Sequence, residues 1–478
     1  MMAETDDTFT GKHICHACIG EGYLSAEIES SCESCVCAYC GEFAPCVSIK
    51  EIAERIKTAF DEHYTRTADG PDSWQERILA DRESNYVWMR NGETVIEAIQ
   101  NAAKINEEPA VDVLEILQDR YGDFESAKMG EEAEFDDDSH YTKKEPDDQS
   151  WHEEWNRFEH LLKTETRFFN RTAANLLAQV FGGIEKLKTI DGRPLVMAVG
   201  SNTPLDHIYR ARVFQAESQL EEALARPDRH IGSPPHNVAC AGRMNAYGIS
   251  VFYGATNEQV AIAEARPPVG SRVVVARFVI IRSLQLLDLT ALEYVHDMGS
   301  IFDSSLKRRL ERAAFLRTLG RRMARAVMPD DAALEYLPTQ AVADFLATMN
   351  EPRFDGIIFS SVQVKDGINV VLFHHAARVE PMVFPKGTKI KIHTGCSMED
   401  GWEPGYLVHE ERVPTTFSAA APTDTDDYDK NLELHLTEPP RWNNDFRESA
   451  LQIDEQSVAV HDVNWVKINT MSHAVKRN

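Results

Sequence analysis

The sequence predicts an α+β protein of several domains, and three observations carry that prediction. Seven of its nine cysteines fall between Cys15 and Cys46, the stretch from Ser48 to about Gly183 reads as mostly helical, and strand-like and helical segments then mix. At 478 residues with 43% hydrophobic content the chain can bury more than one core, and its size argues for roughly two to four domains. The expected boundaries are 1–47 for a zinc-binding ribbon, 48–190 for a helical domain, 191–385 for a sheet-bearing domain and 386–478 for a strand-rich extension.

Charge narrows the function classes. Lys+Arg 50 against Asp+Glu 77 gives a net charge of -27, which argues against coating nucleic acid or an anionic membrane, since phosphate binding needs a basic surface. The N-terminal segment MMAETDDTFTG is acidic and lacks an apolar signal core, and no run reaches the ~18 apolar residues that span a bilayer. A cytoplasmic protein is expected.

The cysteines come first along the chain. Cys15/Cys18 and Cys37/Cys40 are C-x-x-C pairs separated by eighteen residues, the spacing of a zinc ribbon, and Gly41 supplies the turn after the second pair. Cys32/Cys35 is the alternative second pair at a spacing of thirteen, with His13, His16 and Cys46 as spare donors. Four thiolates make a closed site, so the metal predicted here is structural Zn2+.

In the helical region, Ile49, Ile52, Ala53, Ile56 and Phe60 form one apolar stripe, Val95, Ile96, Ile99 and Ala102 a second, and Val111, Val113, Leu114 and Leu117 a third. An acidic loop is expected at about 126–150, followed by one long helix over Trp151 to Val180 that uses Phe158, Leu161, Leu162, Phe168, Leu176 and Val180 as its apolar face. Ile208 to Val213 then reads as a strand and Gln219 to Ala225 as a helix.

The stretch from Gly242 to Pro267 offers a strand at Ile249 to Tyr253 and a capping box from Thr256 to Gln259. A helix of about three turns follows, on which Val260 and Glu264 share a face. A carboxylate on the inward stripe is costly unless something is bound there. Strands follow at Val273 to Ile281 and Leu284 to Leu289. Ser305 to Val327 is a helix with eight Lys or Arg residues against one Glu, whose basic face is expected to pair with the protein's own acidic surface or a partner subunit. Thr339 to Met349 reads as a helix, and Gly356 to Ser360, Asn369 to Phe373 and Lys389 to Ile392 as strands. In the tail, Leu432, Leu434 and Leu436 alternate after TDTDDYD, and Val458, Val460 and Val463 suggest a last strand.

Taken in order, YRAR (Tyr209 to Arg212), PP at Pro234, GRMN (Gly242 to Asn245), FYGA (Phe252 to Ala255), AEARP (Ala263 to Pro267), LPTQ (Leu337 to Gln340) and FDGIIFSS (Phe354 to Ser361), with Gly367, Asn369 and Phe373 beyond, resemble a RES domain. The cysteine pairs and helices before them resemble the HEPN-like region that precedes RES domains in some bacterial proteins. The resemblance implies an ADP-ribosyltransferase-like fold, a split and bent mixed sheet with flanking helices, that binds NAD+ in its cleft. It also implies a toxin-like activity that consumes NAD+, releasing nicotinamide by hydrolysis or phosphorolysis. An antitoxin or other regulatory protein partner and a homodimer are compatible with it. Carried across residue by residue, the family Arg falls on Arg210 with Arg212 as competitor, the Tyr on Tyr253, the Glu on Glu264, and the Ser on Ser361 with Ser360 beside it. Asn369 is a candidate for orienting the strand that carries it.

Those residue types suit the chemistry. Breaking the nicotinamide N-glycosidic bond builds positive charge on the ribose, and one carboxylate, Glu264, can stabilise it in the transition state. Arg210 offers a charged fork for a phosphate, Tyr253 a ring against nicotinamide and a hydroxyl to anchor it, and Ser361 a small hydroxyl for a ribose oxygen or the carboxamide. Transfer of ADP-ribose to a macromolecule and a non-enzymatic zinc and helical interaction module are the alternatives. Neither a P-loop, nor a G-x-G-x-x-G turn, nor a G-x-S-x-G elbow is present. The helical region also lacks the Arg–His spacing of HEPN ribonucleases, Arg157 and His160 being too close.

Overall fold

A computed structural model of the chain describes residues 9, 11–122, 132–398, 401–411, 445–467 and 470–476. The chain divides into two compact units, Met1–Trp151 with His296–Ala314, and His152–Val295 with Phe315–Asn478. The architecture is α+β with a mixed sheet, as the sequence predicts.

The first unit opens with β1 (His13–Cys15), α1 (Gly22–Ser31), β2 (Ser34–Val36) and β3 (Phe43–Ser48), which form a small sheet in the order β1-β3-β2. The unit continues through α2 (Ile49–His63), β4 (Tyr64–Arg66), α3 (Ser73–Ala80), β5 (Glu93–Thr94), α4 (Val95–Ala103), α5 (Glu107–Tyr121) and β6 (His140–Lys143). The predicted stripes turn inward on α2, α4 and α5, except that Val111 is exposed while Val113, Leu114 and Leu117 are buried. Ile14, Leu24 and Val47 join the same core as Ile52, Ile99 and Leu117, so apolar packing runs across the boundary expected at residue 47. Part of the acidic stretch expected to be a loop is also internal. Phe135 and Tyr141 are buried, and β6 pairs with both β4 and β5.

The helix expected over Trp151 to Val180 is two helices, α6 (Gln149–Thr164) and α7 (Arg171–Phe181). Phe169 has φ 56°, outside the helical region, and Asn170 caps α7 by accepting from Ala173 N at 3.0 Å. Phe168, expected on the apolar face, is exposed in the break.

The second unit continues through β7 (Lys188–Thr189), β8 (Val196–Val199), β9 (His207–Phe214), α8 (Glu217–Ala225), α9 (Pro227–His230), β10 (Phe252–Ala255), α10 (Glu258–Ala265), β11 (Arg272–Ile280), β12 (Leu284–Asp288) and β13 (Val295–His296). After these come α11 (Leu306–Ala324), whose residues up to Ala314 belong to the first unit, then α12 (Ala332–Glu335), α13 (Leu337–Thr348), β14 (Gly356–Ser360), β15 (Ile368–Leu372), the hairpin β16 (Lys389–Met398) and β17 (Gly401–Glu411), β18 (Leu451–Ile453) and β19 (Ala459–Asp462). The main sheet runs β18-β11-β9-β10-β15-β14-β12-β8, with β19 also on β11. Of its described pairings, β12 with β14 is parallel and the others are antiparallel.

The strand β11 is nearly all apolar because it lies inside the sheet: Val273, Val274, Val275, Ala276, Phe278 and Ile280 are buried. Phe278 meets Phe252 of β10 edge to face at 4.9 Å. The tail thus extends the main sheet through β18 and β19, the first of which the sequence did not reveal. TDTDDYD and Leu432, Leu434 and Leu436 lie outside the described residues.

Several basic residues of α11 pair within the chain, one of the two expected outcomes. Arg309 pairs with Asp297 at 3.2 Å and Asp303 at 3.0 Å, Arg322 pairs with Glu159 at 2.9 Å, and Arg308 lies over the Trp151 ring. Among the described residues no helix is long and apolar enough to cross a membrane.

Candidate functional site

Local structure around Gly242 to Pro267 differs from the sequence expectation in two places. The strand begins at Phe252 rather than Ile249, because the Asn245 side-chain amide donates to the Ile249 carbonyl at 2.9 Å and holds that segment as a loop. The helix cap is Asn257, which accepts from Val260 N at 2.9 Å, and not Thr256. The Thr256 amide instead donates to the Ile368 carbonyl at 3.0 Å, tying it to β15 and delaying the helix by one residue. Arg266 ends α10 in the left-handed region at φ 47°.

These elements enclose a cavity of about 250 Å³ on one face of β9, β10, β14 and β15. Alternation along β10 sends Phe252 into the core and Tyr253 toward the cavity. The register sets Ala255 opposite both Tyr209 and Asn369, and Phe359 opposite Asn369, which brings the three sequence-distant motifs together. At Gly254 an added Cβ would stand 3.0 Å from the Tyr209 carbonyl, so glycine lets the strands approach closely there.

The carboxylate of Glu264 is fixed from two sides. Ser361 Oγ donates to Glu264 Oε1 at 2.5 Å, and Asn369 Nδ2 donates to the same oxygen at 2.8 Å. Among the described residues nothing hydrogen-bonds to Oε2. The serine is itself set by a tight turn, its Oγ accepting from the amides of Gln363 at 3.0 Å and Val364 at 3.1 Å. Gly367 closes that turn, where a Cβ would meet Val260 Cγ2 at 2.9 Å. Ser361 was expected to meet substrate; its hydroxyl is instead spent on the carboxylate, and Ser360 is the serine that lines the cavity.

Arg210 lies on β9 with its guanidinium 4.9 Å from the Phe252 ring centre, and Nη1 is buried without a hydrogen-bond partner. Burial, with Arg212 nearby, pulls its pKa down to about 10, so it remains charged at neutral pH. Arg212 does not line the cavity. It is exposed and donates to the His230 carbonyl at 2.6 Å. Burial pushes the Tyr253 hydroxyl up to about 12, keeping it protonated. That hydroxyl donates to Asn245 Oδ1 at 2.9 Å and accepts from Met244 N at 2.9 Å, so its proton is already engaged within the protein.

Among the lining residues to which the sequence assigned no role are Arg243, Arg266 and Tyr336. Arg243 packs on the Tyr336 ring at 5.3 Å and donates to the Met323 carbonyl at 2.8 Å. The GRMN loop that carries it is held by the LPTQ helix, with Gln340 Nε2 on the Gly242 carbonyl at 2.8 Å and Thr339 Oγ1 on the Arg243 carbonyl at 2.6 Å. Both arginines sit inside motifs visible in the sequence, but only tertiary contact shows that they face the cavity. The lining thus holds three guanidinium groups, Arg210, Arg243 and Arg266, against the single carboxylate Glu264. Such a cavity suits an anionic ligand that has one electron-poor centre.

In the first unit the sulfur atoms of Cys15, Cys18, Cys37 and Cys40 lie within 4.8 Å of one another, with Cys15–Cys40 at 3.6 Å and Cys18–Cys37 at 3.9 Å. A tetrahedral zinc with bonds of about 2.3 Å sets its sulfurs roughly 3.8 Å apart, so the four thiols fit such an ion. Cys32, Cys35 and Cys46 stand outside the quartet. Burial pushes the Cys15 and Cys18 thiols up, whereas at Cys37 the backbone amides of Cys40, Tyr39 and Cys15 outweigh burial and bring the pKa down to about 6. The quartet is braced against α5, where Asp112 accepts from Lys12 Nζ and Tyr39 Oη, each at 2.7 Å.

Comparison with known families matches residues 207–390 to the RES domain and residues 30–175 to HEPN/RES N-terminal domain 1. No curated protein matches the chain, and no solved structure does.

Proposed function

We propose that the RES domain at residues 207–390 cleaves the nicotinamide N-glycosidic bond of NAD+, passing the ADP-ribosyl group to water or phosphate. The observation that carries this reading is the Glu264 carboxylate, held through Oε1 by Ser361 and Asn369 in a cavity with three guanidinium groups. Its Oε2 takes a hydrogen bond from a ribose hydroxyl and faces the positive charge that grows as the bond to nicotinamide breaks. Arg210 gives its unpartnered Nη1 to the phosphate on the nicotinamide-ribose side. The Tyr253 ring walls the nicotinamide, and Ser360 faces the ligand at the end of β14. Ser361 and Asn369 act through Glu264 as positioning residues. The electron pair of the broken bond leaves on nicotinamide, which needs no proton because its nitrogen was cationic. Water loses its proton to solvent after attack, whereas phosphate yields ADP-ribose 1-phosphate.

The test is to incubate the full chain and Glu264→Gln with NAD+, with and without phosphate, and identify the products. Nicotinamide release that falls about 10²–10³-fold in the variant is expected. No Glu264-dependent loss of NAD+ would sink the reading, and a labelled macromolecule in a lysate would move it to ADP-ribosyl transfer.

A further inference from the structure

A second cleft, of about 580 Å³, opens on the outer face of α10 and shares Arg266 with the inner cavity. Its far wall is residues 463–467, beyond the end of the matched RES domain. That wall is built into the fold. The strand β19 pairs with β11, Gly270 N donates to the Val463 carbonyl at 2.8 Å, and Val463 N donates to the Ser271 carbonyl at 3.0 Å. His461 Nε2 stands 2.6 Å from Glu258 Oε1 in the first turn of α10. The indole of Trp465 is 75% exposed, facing a cleft floored by Ile262 and Pro267. The indole offers the cleft a broad flat face on which a planar ring can stack.

We propose that this cleft takes the adenosine half of the dinucleotide, with Trp465 stacking on the purine and Arg266 holding the second phosphate where the two cavities meet. The inference rests on NAD+ as the substrate of the inner cavity. At about 250 Å³ that cavity falls below the range of roughly 300–1,000 Å³ typical of ligand sites, so a dinucleotide must reach outside it. Arg266 is the residue common to both spaces. Its Nη2 lies 2.8 Å from the Gln363 side chain once that amide turns its oxygen toward the guanidinium, a neutral partner that leaves the charge for a phosphate. The amide of Gln259 in the cleft suits the purine edge.

The experiment compares NAD+ with nicotinamide mononucleotide, which lacks the adenosine half, in wild type, Trp465→Ala and Trp465→Tyr. The expected result is that Trp465→Ala raises KM for NAD+ about 10–100-fold more than KM for the mononucleotide, and that Trp465→Tyr restores most of the difference. A parallel titration with AMP, read by ligand-observed NMR, reports the cleft without turnover, and binding lost in Trp465→Ala is expected. Equal KM changes for both substrates, or AMP binding that ignores residue 465, would overturn the proposal. Wild type that binds AMP through Trp465 but leaves NAD+ intact would instead defeat the cleavage reading and keep the purine site.

Discussion

At the scale of single residues, the guanidinium of Arg210 carries the plainest tension between stability and use. A buried cation without a counter-ion costs folding energy until an anion arrives. Arg210→Met is therefore expected to abolish nicotinamide release yet raise the melting temperature by a few degrees, checked by calorimetry beside the activity assay. Adding phosphate or ADP-ribose should stabilise wild type more than the variant. That Arg210, Tyr253 and Glu264 meet at one cavity could be anticipated because each stands in a short motif whose order is itself informative. The fate of the Tyr253 and Ser361 hydroxyls could not, since each is decided by a neighbour distant in sequence or by a turn. Arg243 and Arg266 stayed hidden for the same reason, an arginine being equally at home on a surface.

At the scale of elements, the turn between β14 and β15 and the strand β15 together aim one carboxylate. Asn369→Ala should lower kcat about tenfold while changing KM little, and Ser361→Ala should do the same. The double variant should lose less than the product of the two, because both act on one oxygen. Steady-state kinetics of the four proteins checks this. Most elements were legible: β9, α8, β14 and α13 fall within a few residues of their expected places, since apolar runs and periodic stripes mark them. Errors came where a side chain competed with backbone pairing, as Asn245 does before β10, or where a residue left helical φ, as Phe169 does. The short strand β18 was missed because its LQI sequence carries too little pattern to stand out.

At the scale of the whole chain, each unit has its own core and its own local chemistry. Because the Cys15, Cys18, Cys37 and Cys40 quartet fits a metal ion, a metal chelator under reducing conditions, or Cys37→Ser, is expected to strip hydrogen-exchange protection from β1, β3 and α2 while β9 to β11 keep theirs, read by exchange mass spectrometry. The cysteine spacing alone picked the quartet, because a metal site is a local arrangement; the sheet's final strands needed the folded chain. Those strands have a further consequence during synthesis. The edge of β11 that receives β18 and β19 stays open until a ribosome has made residues 451–462, long after the motifs around Glu264 have emerged. A nascent chain therefore carries the residues that line the cavity before it owns the strands that cover the edge of β11.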